Sequence, residues 1–351
     1  MRLLGTGLQT SVHVDLLPAT DRFQAVSQTP NKHILTPKEN HTMKKLDFHV
    51  HMLSRISLDE SEAYFRDMMK RQGLSGVCIH ALTNENGELY PNCNKDAMEL
   101  KRRMPGSYAF ASLEFDEDFV EQAKEIVAQG FDGIKLLNGK PSQYRLHGSG
   151  YETEKFDRFF AYAEEQQIPI LVHNNDPAFC WDPDRAPASF KKLGWFYGDG
   201  DVPTHEEFYV MLEQVLERHP NLRLAIAHMG YYYEDIPRAA ALLDKYPNLH
   251  LDMTPAVDVY ENLSVKAEEA EAFIRKYHDR LMYGTDADNN LPEDSWAYKF
   301  NNIKNAIIKA FYEGDEPCAI DKYNVVPVKL EPYMIENIFY NNAMRFMKKT
   351  V

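Results

Sequence analysis

The sequence is short of cysteine, short of cations relative to acids, and without a long apolar run, and each shortage excludes a class of protein. Its four cysteines, Cys78, Cys93, Cys180 and Cys318, are scattered over 351 residues and form no Cys-x-x-Cys pair, so neither a zinc knuckle nor a dithiol redox motif is present. Sparse, unpaired thiols fit a reducing cytoplasm. No stretch reaches the roughly 20 apolar residues of a membrane helix. Gln9, His13 and Asp15 interrupt the leucine-containing start before it can serve as a signal peptide. Lys and Arg number 39 against 53 Asp and Glu, a formal net charge of -14, which argues against nucleic acid or an anionic membrane as a partner. The charge balance says nothing of a small molecule, which sees only local charge, and the site read below makes a small-molecule substrate the expected partner.

Apolar residues make up 44% of the chain, enough for one large core, and the length suits a single barrel of about 250 residues with insertions. Residues 1–42, rich in Thr, Pro, Asn and Gln, show neither helical nor strand periodicity and read as an N-terminal extension of low order. The barrel is expected over residues 43–351. Because Met43 directly precedes the first strand, a native start there is one expectation.

Thereafter strands and helices alternate. Short apolar strands are predicted at 47–51, 76–80, 108–114, 133–137, 168–173, 222–228, 249–253 and 281–286. The helices between them carry their own signals. Ser57 with Glu60 and Thr204 with Glu207 are capping boxes, Gly73 and Gly130 stop helices, and Phe119, Val120, Ala123, Ile126 and Val127 recur at helical spacing. A long loop without periodicity spans 174–203, a length typical of a binding loop. A closing helix is predicted near 331–349. Eight strands alternating with helices give a single-domain (β/α)8 TIM barrel of the α/β class.

In such a barrel the chemistry sits at the carboxyl ends of the strands. Strand one ends His49-Val50-His51, strand five His173, strand six His228 and strand eight Asp286. Histidines two apart on a strand share a face, and Asp47, of the same parity, is placed to orient one of them through its second ring nitrogen. Imidazoles with a carboxylate suit Zn²⁺ or a neighbouring ion. A lone histidine on a buried strand is more often a hydrogen-bonded core residue, and His80 is read that way. Asp286 has a bland alternative as a cap of the following segment. Lys135, ending strand four, is read as a point charge for a substrate carboxylate, the alternative being a solvated lysine. Arg55 and Arg145, in loops predicted at the same rim, are further substrate-binding candidates, and Trp181 with Cys180 is a candidate pocket wall.

Together Asp47-Phe48-His49-Val50-His51, His173, Ala227-His228-Met229-Gly230, Gly284-Thr285-Asp286 and Asn341-Asn342-Ala343 resemble the amidohydrolase superfamily. Within it they resemble the amidohydrolase-related group of metal-dependent hydrolases and relatives of aminocarboxymuconate-semialdehyde decarboxylase, over about Lys45 to Met347. The resemblance implies one divalent ion held by His49, His51, His173 and Asp286, with His228 acting beside it. In some superfamily members a carbamylated lysine on strand four bridges two metals, which keeps that alternative open for Lys135.

The expected activity is hydrolysis of an amide, ester or lactone bond. Asp286 would take a proton from a metal-activated water, and His228 would polarise the substrate oxygen or protonate the leaving group. Non-oxidative decarboxylation of an unsaturated or aromatic acid is the alternative on the same residues. A barrel that only binds a ligand is the third reading, and it would be favoured by a missing ligand position. Barrels of this size often pair, so a homodimer is a candidate assembly.

Overall fold

A computed structural model describes residues 43–53, 56–82, 84–85, 88–89, 93–255, 258–289 and 296–350. The N-terminal extension and Arg55 lie outside them. Parallel strands β1 (Leu46–Met52), β2 (Gly76–Ala81), β3 (Tyr108–Ala111), β4 (Gly133–Gly139), β5 (Ile170–Asn174), β6 (Leu224–Ile226), β7 (Leu249–Asp252) and β8 (Leu281–Met282) follow one another around the sheet. A ninth, β9 (Ala287–Asp288), pairs with β1.

β8 and β9 are two halves of one stave. β8 pairs with β7, β9 with β1, and the residues between them close the ring: Phe48 N donates to Tyr283 O at 3.0 Å and Asp286 N to His49 O at 2.8 Å. The fold is therefore the expected (β/α)8 barrel, its eighth stave interrupted where Asp286 adopts a left-handed φ of +53°.

Inward side chains of the lower barrel form one apolar cluster, with Leu46, Phe48, Cys78, Phe110, Leu171, Ala225 and Met282 meeting Met344 and Phe346 of the closing segment. Val77, Ile79, Ile134, Ile170, Val172 and Leu224, of the opposite parity, pack outward on the helices, and so does Val50, which has the parity of Phe48. One position breaks the alternation. The pairing of β1 with β2 shifts between Asp47 and Val50, a bulge that lets adjacent residues share a face. So Phe48 fills the barrel below while His49, its neighbour, joins the polar layer above.

The helices begin where their caps predict. α1 (Leu58–Gln72) has the full Ser57/Glu60 box and a left-handed Gly73 at its end. The helix His205–Arg218 has the Thr204/Glu207 box. The predicted structureless stretch after β5 instead holds two short helices, Ala178–Trp181 and Ala188–Lys192, with its own apolar cluster of Cys180, Phe190, Tyr197 and Val202. The region between 289 and 331, for which the sequence offered no assignment, includes a helix, Trp296–Glu313, and a small antiparallel hairpin, Cys318–Ile320 with Tyr323–Val325. The closing helix is broken into Pro332–Glu336, a π turn at Asn337–Asn341 and Asn342–Phe346. Asn342 sits beneath the barrel, its Nδ2 donating to His278 O and Leu281 O, each at 2.7 Å.

Candidate metal centre

One layer above the apolar filling, the interior turns ionisable: His49, His80, Lys135, His173, His228 and Asp252 are each less than a tenth exposed. His49 Nε2 lies 3.0 Å from His51 Nε2. Asp286 Oδ1 is 3.0 Å from the His51 nitrogen and 3.7 Å from that of His49. Among the described residues these three alone bring ligand atoms within 4.8 Å of one another in a group of metal-ligating type. Two nitrogens that face each other need a proton or a cation between them. Among the described residues His51 Nδ1, also buried, has no hydrogen-bond partner. The donor set fits a divalent transition ion.

Each remaining histidine has a different backing. His49 Nδ1 lies 2.5 Å from Asp252 Oδ2, so Asp252, not Asp47, stands behind this ring. The bulge is the reason: it puts Asp47 on the opposite face, where its carboxylate accepts from Thr285 N at 3.0 Å and Thr285 Oγ1 at 2.6 Å. His173 lies outside the three-residue group, its Nε2 3.4 Å from Asp176 Oδ1, and Asp176 Oδ2 accepts from the Tyr197 hydroxyl at 2.7 Å. His80 Nε2 donates to Phe48 O at 2.7 Å, as expected of a core histidine.

His228 is carried by an uncommon backbone. β6 stops at Ile226, and His228, Met229, Gly230 and Tyr231 all have φ between +53° and +60°, a left-handed turn disfavoured by roughly 1–2 kcal/mol per non-glycine residue. In a turn of about three residues, positions i and i+3 eclipse. The rings of His228 and Tyr231 accordingly lie side by side, 5.7 Å apart, and His228 comes within 5.0 Å of the His173 ring and 5.6 Å of the His49 ring. A strand continued to His228, as the sequence suggested, would have pointed it outward beside Ile226.

Burial pushes His49 and His228 well below the ordinary histidine range, with the Lys135 ammonium adding to both, and takes His173 down to about 4. These imidazoles are therefore neutral at pH 7. Burial also pushes Lys135 down to about 8, against the pull of Asp252 and Asp286. For Asp286, burial works upward but is outweighed by the Lys304 ammonium and the His51 and His228 rings, leaving the carboxyl well below its usual range. Lys304, itself buried, donates to Asp286 O at 2.6 Å.

Lys135 Nζ is 3.2 Å from His49 Nε2. The same lysine lines a cavity of about 490 Å³ between the ends of β2, β3 and β4, with Ser112, Glu114, Asn138, Gln143 and His147 among its walls. Arg145 and Trp181 have other partners. The Arg145 guanidinium grips Asp201 and accepts no role in that cavity's lining, bonding instead to Gly194 O at 2.7 Å and Phe196 O at 2.8 Å. Trp181 Nε1 donates to Pro203 O at 3.1 Å and its ring packs on Tyr197. Both fasten the segment after β5. Asp252, Asp176 and Lys304 were missed in the sequence. For Asp252 the signal was there, since it ends β7 just as Asp286 ends the strand read from the sequence at 281–286.

The ionisable side chains thus converge at the carboxyl rim of a (β/α)8 barrel, where the active sites of such barrels sit. The amidohydrolase family model matches residues 36–348, and the chain belongs to the amidohydrolase family. Solved structures with the same fold include three that bear on it. A probable 2-pyrone-4,6-dicarboxylic acid hydrolase from Acinetobacter baumannii is 13% identical, covers 87% of this chain and 100% of its own, and has a TM-score of 0.54. A 2,6-dihydroxybenzoate decarboxylase from Rhizobium is 16% identical, with 88% and 99% covered and a TM-score of 0.53. A dihydroxybenzoic acid decarboxylase from Polaromonas, with bound manganese and the inhibitor 2-nitroresorcinol, is 14% identical, with 87% and 97% covered and a TM-score of 0.51. At these identities the likeness is one of fold. No curated protein matches the chain in sequence. No helix among the described residues is long and apolar enough to cross a membrane.

Proposed function

We propose that this protein is a metal-dependent hydrolase that opens an amide, ester or lactone bond of a small molecule. The observation that carries the reading is the convergence of His49, His51 and Asp286 within 4.8 Å at the barrel rim, one contact away from a cavity through Lys135. His49, His51 and Asp286 would hold one divalent ion, Zn²⁺ by donor chemistry, with His173 retained from the family resemblance as the fourth ligand. Such an ion lowers the pKa of a water from 15.7 to roughly 7 and polarises the bond under attack.

The side chains do the rest. Asp286 takes the proton of the attacking water. His228, neutral and buried, hydrogen-bonds the substrate oxygen or hands a proton to the leaving group. Lys135 steadies an anionic or carbonyl group at the inner end of the cavity. Residues 43–351 are proposed to act as one barrel domain.

The same residues support a second reading, non-oxidative decarboxylation, favoured by Lys135 as a buried cation able to grip a carboxylate. Elemental analysis of the purified chain is expected to find about one divalent ion per protein and nearly none in His49→Ala. A wild type free of metal after non-chelating purification, and unable to take up Zn²⁺, would end the proposal. A panel of lactones, amides and aromatic acids, followed by ring opening and by carbon dioxide release, then decides between the two reactions.

A further inference from the structure

Two buried residues on one strand end, Asp252 and Thr254, each touch a different histidine of the rim. We propose that they set opposite tautomers in the two rings, giving His49 a free lone pair on Nε2 for a metal and His228 a hydrogen on Nε2 for a substrate oxygen. The inference rests on the proposed function only for what the tautomers are used for. The assignment itself follows from hydrogen-bond accounting.

For His49, Nε2 lies 3.2 Å from Lys135 Nζ. An ammonium can only donate, so Nε2 accepts. The hydrogen of the neutral ring is then on Nδ1, where Asp252 Oδ2 receives it at 2.5 Å. The other oxygen of Asp252 accepts from Thr254 N at 3.0 Å, which fixes the carboxylate plane and ties the two positioning residues together.

For His228 the accounting runs the other way. Thr254 Oγ1, wholly buried, accepts the backbone N–H of His228 at 3.3 Å and has one hydrogen of its own to give. Two ring nitrogens are within reach, His228 Nδ1 at 3.0 Å and His49 Nδ1 at 3.5 Å. The latter already carries its hydrogen toward Asp252. The hydroxyl therefore donates to His228 Nδ1, and the ring hydrogen of His228 is on Nε2.

The fold makes room for this arrangement. A Cβ on Gly284 would stand 2.6 Å from Thr254 Cγ2 and 2.8 Å from His49 Cβ, so the glycine before Thr285 is what lets both groups approach. The division also separates roles. Burial pushes the Asp252 carboxyl up while the Lys135 ammonium pulls it down; hydrogen-bonded to Nδ1, it orients His49 as a ligand, whereas the Thr254 hydroxyl behind His228 leaves the Nε2–H of that ring as the donor.

The test reads the tautomers directly. Long-range proton–nitrogen NMR on the full chain labelled with ¹⁵N-histidine, with His49→Gln and His228→Gln used for assignment, is expected to show hydrogen on Nδ1 of His49 and on Nε2 of His228. Thr254→Val should remove the hydrogen bond received by His228 Nδ1, moving that nitrogen's resonance downfield while those of His49 stay in place, and Thr254→Ser should restore it. In Asp252→Asn the amide can donate to His49 Nδ1, which would force the hydrogen onto Nε2. Zn²⁺ affinity, measured by chelator competition, should then fall about 10- to 100-fold, against less than about threefold in Thr254→Val.

An Nδ1–H form of His228 in the wild type overturns the proposal. So does a Thr254→Val spectrum with His228 unmoved, or an Asp252→Asn protein that holds Zn²⁺ as tightly as the wild type. If either variant fails to fold, the wild-type spectrum decides alone. Absence of turnover on every substrate would remove the hydrolase reading and leave these spectra untouched, while a reversed tautomer would do the converse.

Discussion

The histidines of this barrel differ most in what meets the ring nitrogens turned away from the centre. His49 has the Asp252 carboxyl, His228 a hydroxyl, His51 no partner on Nδ1 among the described residues, and His80 a backbone carbonyl on Nε2. His250, at the floor, completes the range: its ring lies 5.0 Å from that of Phe346 and its Nδ1 3.2 Å from Asn248 O. Burial takes His250 down to about 4, against about 6.5 in an unfolded chain. The unfolded state therefore binds this proton first. Its contribution to stability is intact above about pH 6.5 and is lost as pH falls toward 4, a loss of at most about 3 kcal/mol. Chemical denaturation between pH 7 and pH 4 should show a shallower decline in His250→Gln than in the wild type, and parallel declines would remove this residue as a source of acid lability.

Among the elements, the left-handed turn after β6 is the most constrained. Gly230 sits in it at φ +60°, and a Cβ there would lie 2.8 Å from the Tyr232 ring. Gly230→Ala should destabilise the protein by about 2 kcal/mol, from backbone strain and contact together, read as a lower urea midpoint at unchanged slope. An unchanged midpoint would mean that the turn is not held in this form. This element also marks where sequence reading stops. The eight strands, both capping boxes and the glycine stops were legible because alternation and caps are local signals. The ends of strands one, five and eight pointed to His49, His51, His173 and Asp286 in the same way, and the structure brings three of the four together. The bulge in β1 was not legible, because one extra residue in a strand leaves no mark in Asp47-Phe48-His49. The parity argument for Asp47 failed on that residue. Nor does His228-Met229-Gly230-Tyr231 carry any local preference for four left-handed residues, three of which have a Cβ. That turn is imposed by tertiary partners such as Thr254 and Tyr209, whose hydroxyl donates to Gly230 O at 3.0 Å.

At the scale of the whole molecule, the closing segment seals the floor under the first strand. Phe346 meets Phe48 edge-on at 5.7 Å and is wholly buried, and Arg223 donates to the carbonyls of Arg345 and Phe346, each at 3.1 Å. Phe346→Ala should cost about 3–5 kcal/mol, the range for a large buried ring removed without collapse of the cavity. A loss below about 1 kcal/mol in calorimetry or denaturant titration would show that the floor repacks freely. Helices on the barrel's outside, by contrast, present mostly exposed ion pairs, such as Lys245 with Glu217 and Lys276 with Asp244, and single pairs of this kind contribute little.

The interrupted eighth stave has a mechanical consequence. His49 and His51 belong to the first stave and Asp286 to the last, so the three groups straddle the seam at which the sheet closes on itself. On the proposed reading, an ion gripped by them is also a rivet across that seam. Taking hold of the ion and keeping the ring shut become linked equilibria, and barrel stability should rise with free ion concentration as RT ln(1 + [L]/Kd). Loosening of the seam would spread the three ligand groups apart, so opening there and release of the ion would be one event.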